Sequence, residues 1–159
     1  MSLRVAIQMD PVESIDIRGD TSFALGLEAQ NRGHELHYYL PDSLTLADGR
    51  PKAVCRTLAL CDKVGDHFTA GEPVHLDLSA FDVILMRQDP PFDMAYITAT
   101  HLLEMLPPTT MVVNNPAEVR NAPEKLLVTL FPDLMPPTLI SRDPDAITAF
   151  RERHKDLSL

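Results

Sequence analysis

The sequence is short of cysteine, of positive charge and of long apolar runs, and each shortage narrows the class of protein. Its only two cysteines, Cys55 and Cys61, lie six positions apart in a segment that is predicted to be extended. On one strand they would face the same side but be roughly 20 Å apart, too far for a disulfide bond. Two free, half-buried thiols are typical of a protein in a reducing compartment.

Positive charge is scarce: 14 lysines and arginines stand against 23 aspartates and glutamates, which gives a formal net charge of −9. Such a surface repels phosphate backbones, and no basic stripe carries interleaved aromatic residues, so a nucleic-acid partner is not expected. No apolar run reaches the length that crosses a bilayer, and no signal-peptide pattern opens the sequence. These absences predict a cytoplasmic protein without a membrane partner.

Motifs that usually mark a catalytic centre are also missing. The sequence has no phosphate-binding loop, no G-x-G-x-x-G fingerprint, no G-x-S-x-G elbow and no H-E-x-x-H pair. His34 and His37 are three positions apart, which places them on opposite faces of a strand and argues against a shared metal ion. The 159 residues suffice for one full core, but a complete enzyme is not predicted.

What the sequence does contain is an alternation of apolar strands and capped helices. Helices are predicted after the capping residues Asp20, Asp93 and Asp143, and two shorter ones over residues 116–121 and 124–130. Strands are predicted over residues 3–9, 35–40, 81–87, 110–114 and 138–140. This order predicts an α/β, Rossmann-like fold with a mainly parallel central sheet and helices on both faces.

One stretch departs from this alternation. Asp48-Gly49 is a favourable hairpin turn between extended segments at 43–46 and 52–60, and residues 68–76 add a further extended piece. We therefore expect an antiparallel excursion between two of the parallel strands.

Polar residues follow three predicted strands, and parallel sheets bind ligands at these carboxyl ends. In the loop after the first strand, Asp10, Ser14 and Ile15 offer backbone N–H groups and a hydroxyl that can hold a carboxylate. Arg87 ends the most apolar strand and is the candidate anion clamp, because guanidinium binds carboxylate through two hydrogen bonds. The alternative for Arg87 is a structural ion pair with Asp10 or Asp89. The three exits are residues 9–11, 87–89 and 114–116.

Residues 86–93, M-R-Q-D-P-P-F-D, are quite specific to bacterial glutathione synthetases. Weaker segments occur in the order found in that family. The chain therefore resembles the N-terminal domain of bacterial glutathione synthetases from Val5 to about Leu159. These weaker segments are M-D-P at 9–11, D-T-S-F-A at 20–24, E-A-Q at 28–30, G-H-E-L-H-Y at 33–38, R-T-L at 56–58, V-N-N-P at 113–116 and E-K-L at 124–126.

The resemblance implies a domain order and an activity. Residues 1–122 would form a pre-ATP-grasp substrate domain, and residues 123–159 the linker helices and the start of an ATP-grasp module, with its first strand at 156–159. The family joins γ-glutamylcysteine to glycine, using ATP and Mg²⁺, through an acyl phosphate. By resemblance, Lys125 contacts ATP phosphate.

The same resemblance places Asp10, Ser14, Ile15 and Arg87 on the dipeptide side. The glycine-rich lid loop and the acidic magnesium ligands would lie beyond Leu159, so this chain alone is expected to be inactive, and the full-length enzyme is expected to be a homo-oligomer. Two alternatives stay open. One is the equivalent domain of another ATP-grasp enzyme, such as a D-alanine–D-alanine or glutamate ligase, against which the M-R-x-D-P-P-F-D run argues; the other is a stand-alone α/β binding module.

Overall fold

The computed structural model describes residues 1–154, and for Glu124 the backbone alone. The chain divides into two compact units, with the boundary between Asn121 and Ala122. Each unit is described by itself. Among residues 1–154, no helix combines the length and the apolarity that a membrane crossing requires. The segment predicted as the first ATP-grasp strand, 156–159, lies outside the described residues.

The first unit contains an eight-stranded sheet with the main strand order β3-β4-β2-β1-β7-β8. β1 pairs in parallel with β2 on one side and β7 on the other, and β7 pairs in parallel with β8. The mainly parallel central sheet is therefore confirmed, with the strand after residue 82 in its interior. The strands are β1 (Arg4–Gln8), β2 (Glu35–Tyr39), β3 (Thr45–Ala47), β4 (Arg50–Leu60), β5 (Phe68–Ala70), β6 (Val74–Asp77), β7 (Val83–Met86) and β8 (Met111–Val113).

The core lies on both faces of this sheet because side chains alternate along its strands. On β1, Val5 and Ile7 face a buried cluster that includes Phe23 of the first helix. Ala6 faces a second cluster, which includes Leu103 of the next helix. The predicted helices on both faces are thus confirmed. The helices are α1 (Thr21–Asn31), α2 (Met94–Leu103), α3 (Pro116–Asn121), α4 (Glu124–Leu127) and α5 (Pro144–Arg153).

Three helices begin at the predicted caps. Asp20 accepts a hydrogen bond from the backbone N–H of Phe23 at 2.6 Å, and Asp93 accepts one from Tyr96 at 3.0 Å. Asp143 accepts one from Asp145, also at 3.0 Å. A carboxylate at this position satisfies an N–H group that the helix itself leaves without a partner.

The antiparallel excursion is confirmed and is centred on β4, which pairs with β2, β3, β5 and β6, always antiparallel. Its hairpin turn has positive φ at both central residues, 56° at Asp48 and 72° at Gly49. This backbone twist matches that of the flanking strands, and Asp-Gly adopts it readily.

Three predictions about local structure need correction. The strand predicted over 138–140 is wrong: this segment is irregular, and the Thr138 hydroxyl bonds the Pro136 carbonyl at 2.8 Å, a local bond that competes with strand pairing. The helix predicted to run to Leu130 ends as α4 at Leu127 and tightens into a 3₁₀ turn. Cys61 lies just beyond β4 and is exposed, whereas Cys55 is buried; both thiols are free, as predicted.

The two thiols are expected to differ sharply in reactivity. Cys55 is 1% exposed, and burial raises the pKa of its thiol to about 12, so little thiolate forms at neutral pH. Titration of the native chain with a thiol reagent at pH 8 should label one cysteine, and Cys61→Ser should abolish this labelling while Cys55→Ser leaves it. Rapid labelling of native Cys61→Ser protein would contradict the burial of Cys55.

Stability is expected to fall in mild acid because His37 is buried in its neutral form. Burial lowers the pKa of His37; the nearby Glu35 carboxylate opposes this effect and Arg4 adds to it. His37 therefore binds a proton more readily in the unfolded chain than in the folded chain. The free energy of unfolding thus decreases as pH falls below about 6.5. Urea unfolding measured between pH 7.5 and 5 should show that the free energy of unfolding falls less for His37→Gln than for the parent chain. An equal fall in both proteins would contradict this.

Candidate functional site

The carboxyl ends of β1 and β7 form the candidate site. After β1 the chain continues to β2 on one side of β1, whereas β7 pairs with the other side of β1. The chain connections therefore diverge between β1 and β7. Such a switch point opens a crevice at the edge of a parallel sheet. The backbone N–H of Asp89 donates to Asp10 Oδ2 at 2.9 Å, which ties the two predicted exits together. At the third exit, Asn115 instead caps α3 by accepting from Ala117 at 3.0 Å.

Arg87 stands directly after β7 and is half-buried. Its Nη2 donates to the hydroxyl of Thr21, the first residue of α1, and its buried Nε has no partner among the described groups. Arg87 makes none of the ion pairs found within residues 1–154. The alternative of an ion pair with Asp10 or Asp89 is therefore not what the geometry provides, and part of the guanidinium remains available for an anion.

The loop after β1 is held in place by contacts with the buried core. Val12 is fully buried, and its carbonyl accepts a 2.8 Å hydrogen bond from Nε2 of the buried His67. Ser14 closes a 3₁₀ turn, since both its hydroxyl and its N–H donate to the Pro11 carbonyl, at 2.7 and 2.9 Å. Ile15 packs against the core. To bind a carboxylate as predicted, Ser14 would therefore have to donate to the ligand in place of the Pro11 carbonyl.

Three polar side chains, Tyr39, Gln8 and Gln88, form a chain of hydrogen bonds at the carboxyl ends of β1 and β2, which we call the Gln8 relay. The Tyr39 hydroxyl donates to Gln8 Oε1 at 3.0 Å, and Gln8 Nε2 donates to Gln88 Oε1. Gln8 is 0% and Tyr39 1% exposed. Burial raises the pKa of Tyr39 well above its usual value, so its hydroxyl keeps the proton that it donates.

A cavity of about 240 Å³ lies beside the carboxyl end of β2. Glu13, Tyr38 and Arg56 give it both signs of charge and a phenol group. The remaining lining residues are Tyr39, Leu40, Ser43, Val54 and Pro73.

Lys125, predicted to contact phosphate, belongs to the second unit. It is the second residue of α4 and is exposed. Its ammonium group can therefore meet a ligand from solvent, and its predicted role stays a prediction.

Comparison with known proteins identifies the family. The family model for the prokaryotic glutathione synthetase N-terminal domain matches residues 3–120. The chain belongs to this family. The resemblance carried by residues 86–93 is thereby confirmed.

Curated relatives extend well beyond this family domain. A glutathione synthetase of Rhodopseudomonas palustris is 60% identical over 97% of the chain and 49% of the relative. That of Brucella melitensis is 57% identical over 100% of the chain and 51% of the relative, and that of Salmonella typhi is 42% identical over 98% and 50%. The chain spans about half the length of the relatives that it matches.

Three features of the glutathione synthetase domain were missed by sequence reasoning. The Gln8 relay was signalled by a glutamine inside the apolar run R-V-A-I-Q-M, a position where a polar side chain must find a partner. Thr21 and the cavity beside β2 had no such signal, because they depend on how the β1–α1 loop folds over the sheet.

The Gln8 relay predicts a specific loss of stability. Tyr39→Phe removes the donor to Gln8 Oε1 and leaves a buried oxygen without a partner, which should lower the free energy of unfolding by about 1–3 kcal/mol. Tyr38→Phe is the matched control, because no hydrogen bond of the Tyr38 hydroxyl is found in the described chain. Urea unfolding measures both; equal small losses would contradict the relay.

Proposed function

We propose that the chain forms the dipeptide-binding side of an ATP-dependent ligase that joins γ-glutamylcysteine to glycine. ATP transfers its terminal phosphoryl group to the cysteinyl carboxylate, the glycine amine attacks the resulting acyl phosphate, and phosphate leaves as the amide bond forms. The reaction takes place in the cytoplasm, and the full-length enzyme is a homo-oligomer. The names of the relatives and the family domain support this proposal.

The observation that carries the proposal is the state of Arg87. Its guanidinium lies at the switch point of the sheet, forms no ion pair with a described carboxylate and has an unpartnered buried Nε. A partly buried cation is costly unless it meets an anion. The substrate carboxylate is such an anion, and Asp10 holds the neighbouring loop in position through Asp89.

The reaction implies ATP and Mg²⁺, and the residues of this chain suit the first better than the second. Lys125 offers an exposed ammonium group, which suits an ATP phosphate. For Mg²⁺, residues 1–154 contain no group of three or more His, Cys, Asp or Glu side chains close enough to hold a metal. The magnesium ligands are therefore proposed to belong to the part of the enzyme that corresponds to the second half of the relatives.

A chimera tests the proposal as a whole. It joins residues 1–159 to the second half of the Rhodopseudomonas palustris relative, the part that follows the matched region. With ATP, Mg²⁺, γ-glutamylcysteine and glycine, the chimera should form glutathione and release phosphate, whereas the 159-residue chain should release none. A folded chimera that makes no glutathione, or turnover by the chain alone, would overturn the proposal.

Arg87→Ala in this chimera tests the anion clamp. Loss of a charge-assisted hydrogen bond should raise KM for γ-glutamylcysteine about tenfold or more and leave the melting temperature nearly unchanged. Arg32→Ala, which removes an exposed arginine that pairs with Glu28 on α1, is the control and should change neither value. A lower melting temperature with unchanged KM would instead assign Arg87 a structural role.

The proposed phosphate contact of Lys125 is tested in the same chimera. Lys125→Met should raise KM for ATP, because a positive charge that offsets phosphate is lost, and should leave KM for the dipeptide unchanged. An unchanged KM for ATP would rule out the contact.

A further inference from the structure

The cavity beside β2 is lined by a carboxylate, a guanidinium and a phenol, those of Glu13, Arg56 and Tyr38. Tyr38 and Arg56 are directly paired across β2 and β4, so their side chains lie on the same face of the sheet. Glu13 reaches the cavity from the loop after β1. Burial raises the pKa of Tyr38, the Glu13 carboxylate raises it further and Arg56 lowers it. Both charges therefore act on the Tyr38 hydroxyl.

These two charges do not neutralise each other. Neither Glu13 nor Arg56 takes part in an ion pair within residues 1–154. The one hydrogen bond found for the Arg56 guanidinium is a long one, 3.5 Å, to the Gly71 carbonyl. A carboxylate and a guanidinium thus line one small cavity while both keep bonding capacity for a ligand.

We propose that this cavity binds the α-amino-acid end of the γ-glutamyl group, with Glu13 holding its ammonium and Arg56 its carboxylate. The inference rests on the proposed function and assigns a second anchoring point for the same substrate. A zwitterionic head group meets both charges at once, which a simple anion or cation does not. The cavity volume is about 240 Å³, whereas pockets for drug-sized ligands have volumes of about 300–1,000 Å³. The smaller volume suits the amino-acid end of one substrate molecule.

The distance across the sheet fits the dipeptide. Arg87 follows β7, and the cavity adjoins β2, two strand spacings away with β1 between them. Two spacings amount to about 10 Å. A γ-linked glutamyl group is longer than an α-linked residue by two methylenes, so the extended dipeptide spans about the same length. One end can therefore lie in the cavity while the reacting cysteinyl carboxylate lies at Arg87.

The faces also agree. Tyr38 belongs to the core cluster on the α1 side of the sheet, and Arg87 bonds to Thr21 at the start of α1. Both anchoring points therefore lie on one side of the sheet, next to the loop that carries Glu13.

Substrate analogues with single deletions test the proposal in the chimera. N-Glutarylcysteine lacks the α-ammonium group, and N-(4-aminobutyryl)cysteine lacks the α-carboxylate; both keep the reacting cysteinyl carboxylate. The parent chimera should show a KM about tenfold higher or more for each analogue than for γ-glutamylcysteine. Glu13→Gln should raise KM for γ-glutamylcysteine yet leave KM for N-glutarylcysteine unchanged, and Arg56→Met should do the same with the carboxylate-deleted analogue.

Glu28→Gln and Arg32→Met supply matched controls, because they remove the same side-chain types from an exposed ion pair at the end of α1. Both should keep the parent KM pattern. In these two control variants kcat should also stay at the parent value. The inference would be overturned if Glu13→Gln and Arg56→Met raised KM equally for all three substrates. It would also be overturned if neither variant raised KM for any of them. A chimera that makes no glutathione would be a different result, the failure of the proposed function.

Discussion

The position of β1 between two parallel neighbours is the constraint on which the site depends. Val5, Ala6, Ile7 and Gln8 are all buried, because both faces of this strand are covered by core and both edges are paired. A strand in such surroundings can present polar groups to a ligand only at its end. The divergence of the chain toward β2 and β7 makes that end a switch point of the sheet, where parallel sheets bind ligands, and every proposed substrate contact of the first unit lies around it.

Burial in the centre of the sheet also explains the Gln8 relay. A carboxamide with no solvent access must satisfy its groups internally, and Gln8 does so with Tyr39 on one neighbouring strand and Gln88 on the other side. The relay thus links β2, β1 and the segment that follows β7. We infer that it keeps the Arg87–Asp89 segment in register, so that Arg87 reaches the start of α1 rather than a neighbouring carboxylate.

The sequence was informative where local chemistry decides the structure. Apolar runs marked the parallel strands, aspartates marked the helix starts, and Asp48-Gly49 marked the hairpin. It failed at 138–140, where three β-compatible residues follow two prolines without forming a strand. Within the site, Arg87 and Asp10 were found from their positions after strands, but the contacts between elements, Thr21 with Arg87 and the cavity of Glu13 and Arg56, arise from tertiary packing that no local pattern encodes.

The most direct test of the central claim is a crystal structure of the chimera with γ-glutamylcysteine and a non-hydrolysable ATP analogue. We expect the dipeptide to lie across the carboxyl ends of β7, β1 and β2. Its cysteinyl carboxylate should then be within hydrogen-bond distance of Arg87, and its amino-acid head should lie between Glu13 and Arg56. A dipeptide bound away from this edge of the sheet, with Arg87 still bonded to Thr21 alone, would rule out this binding site.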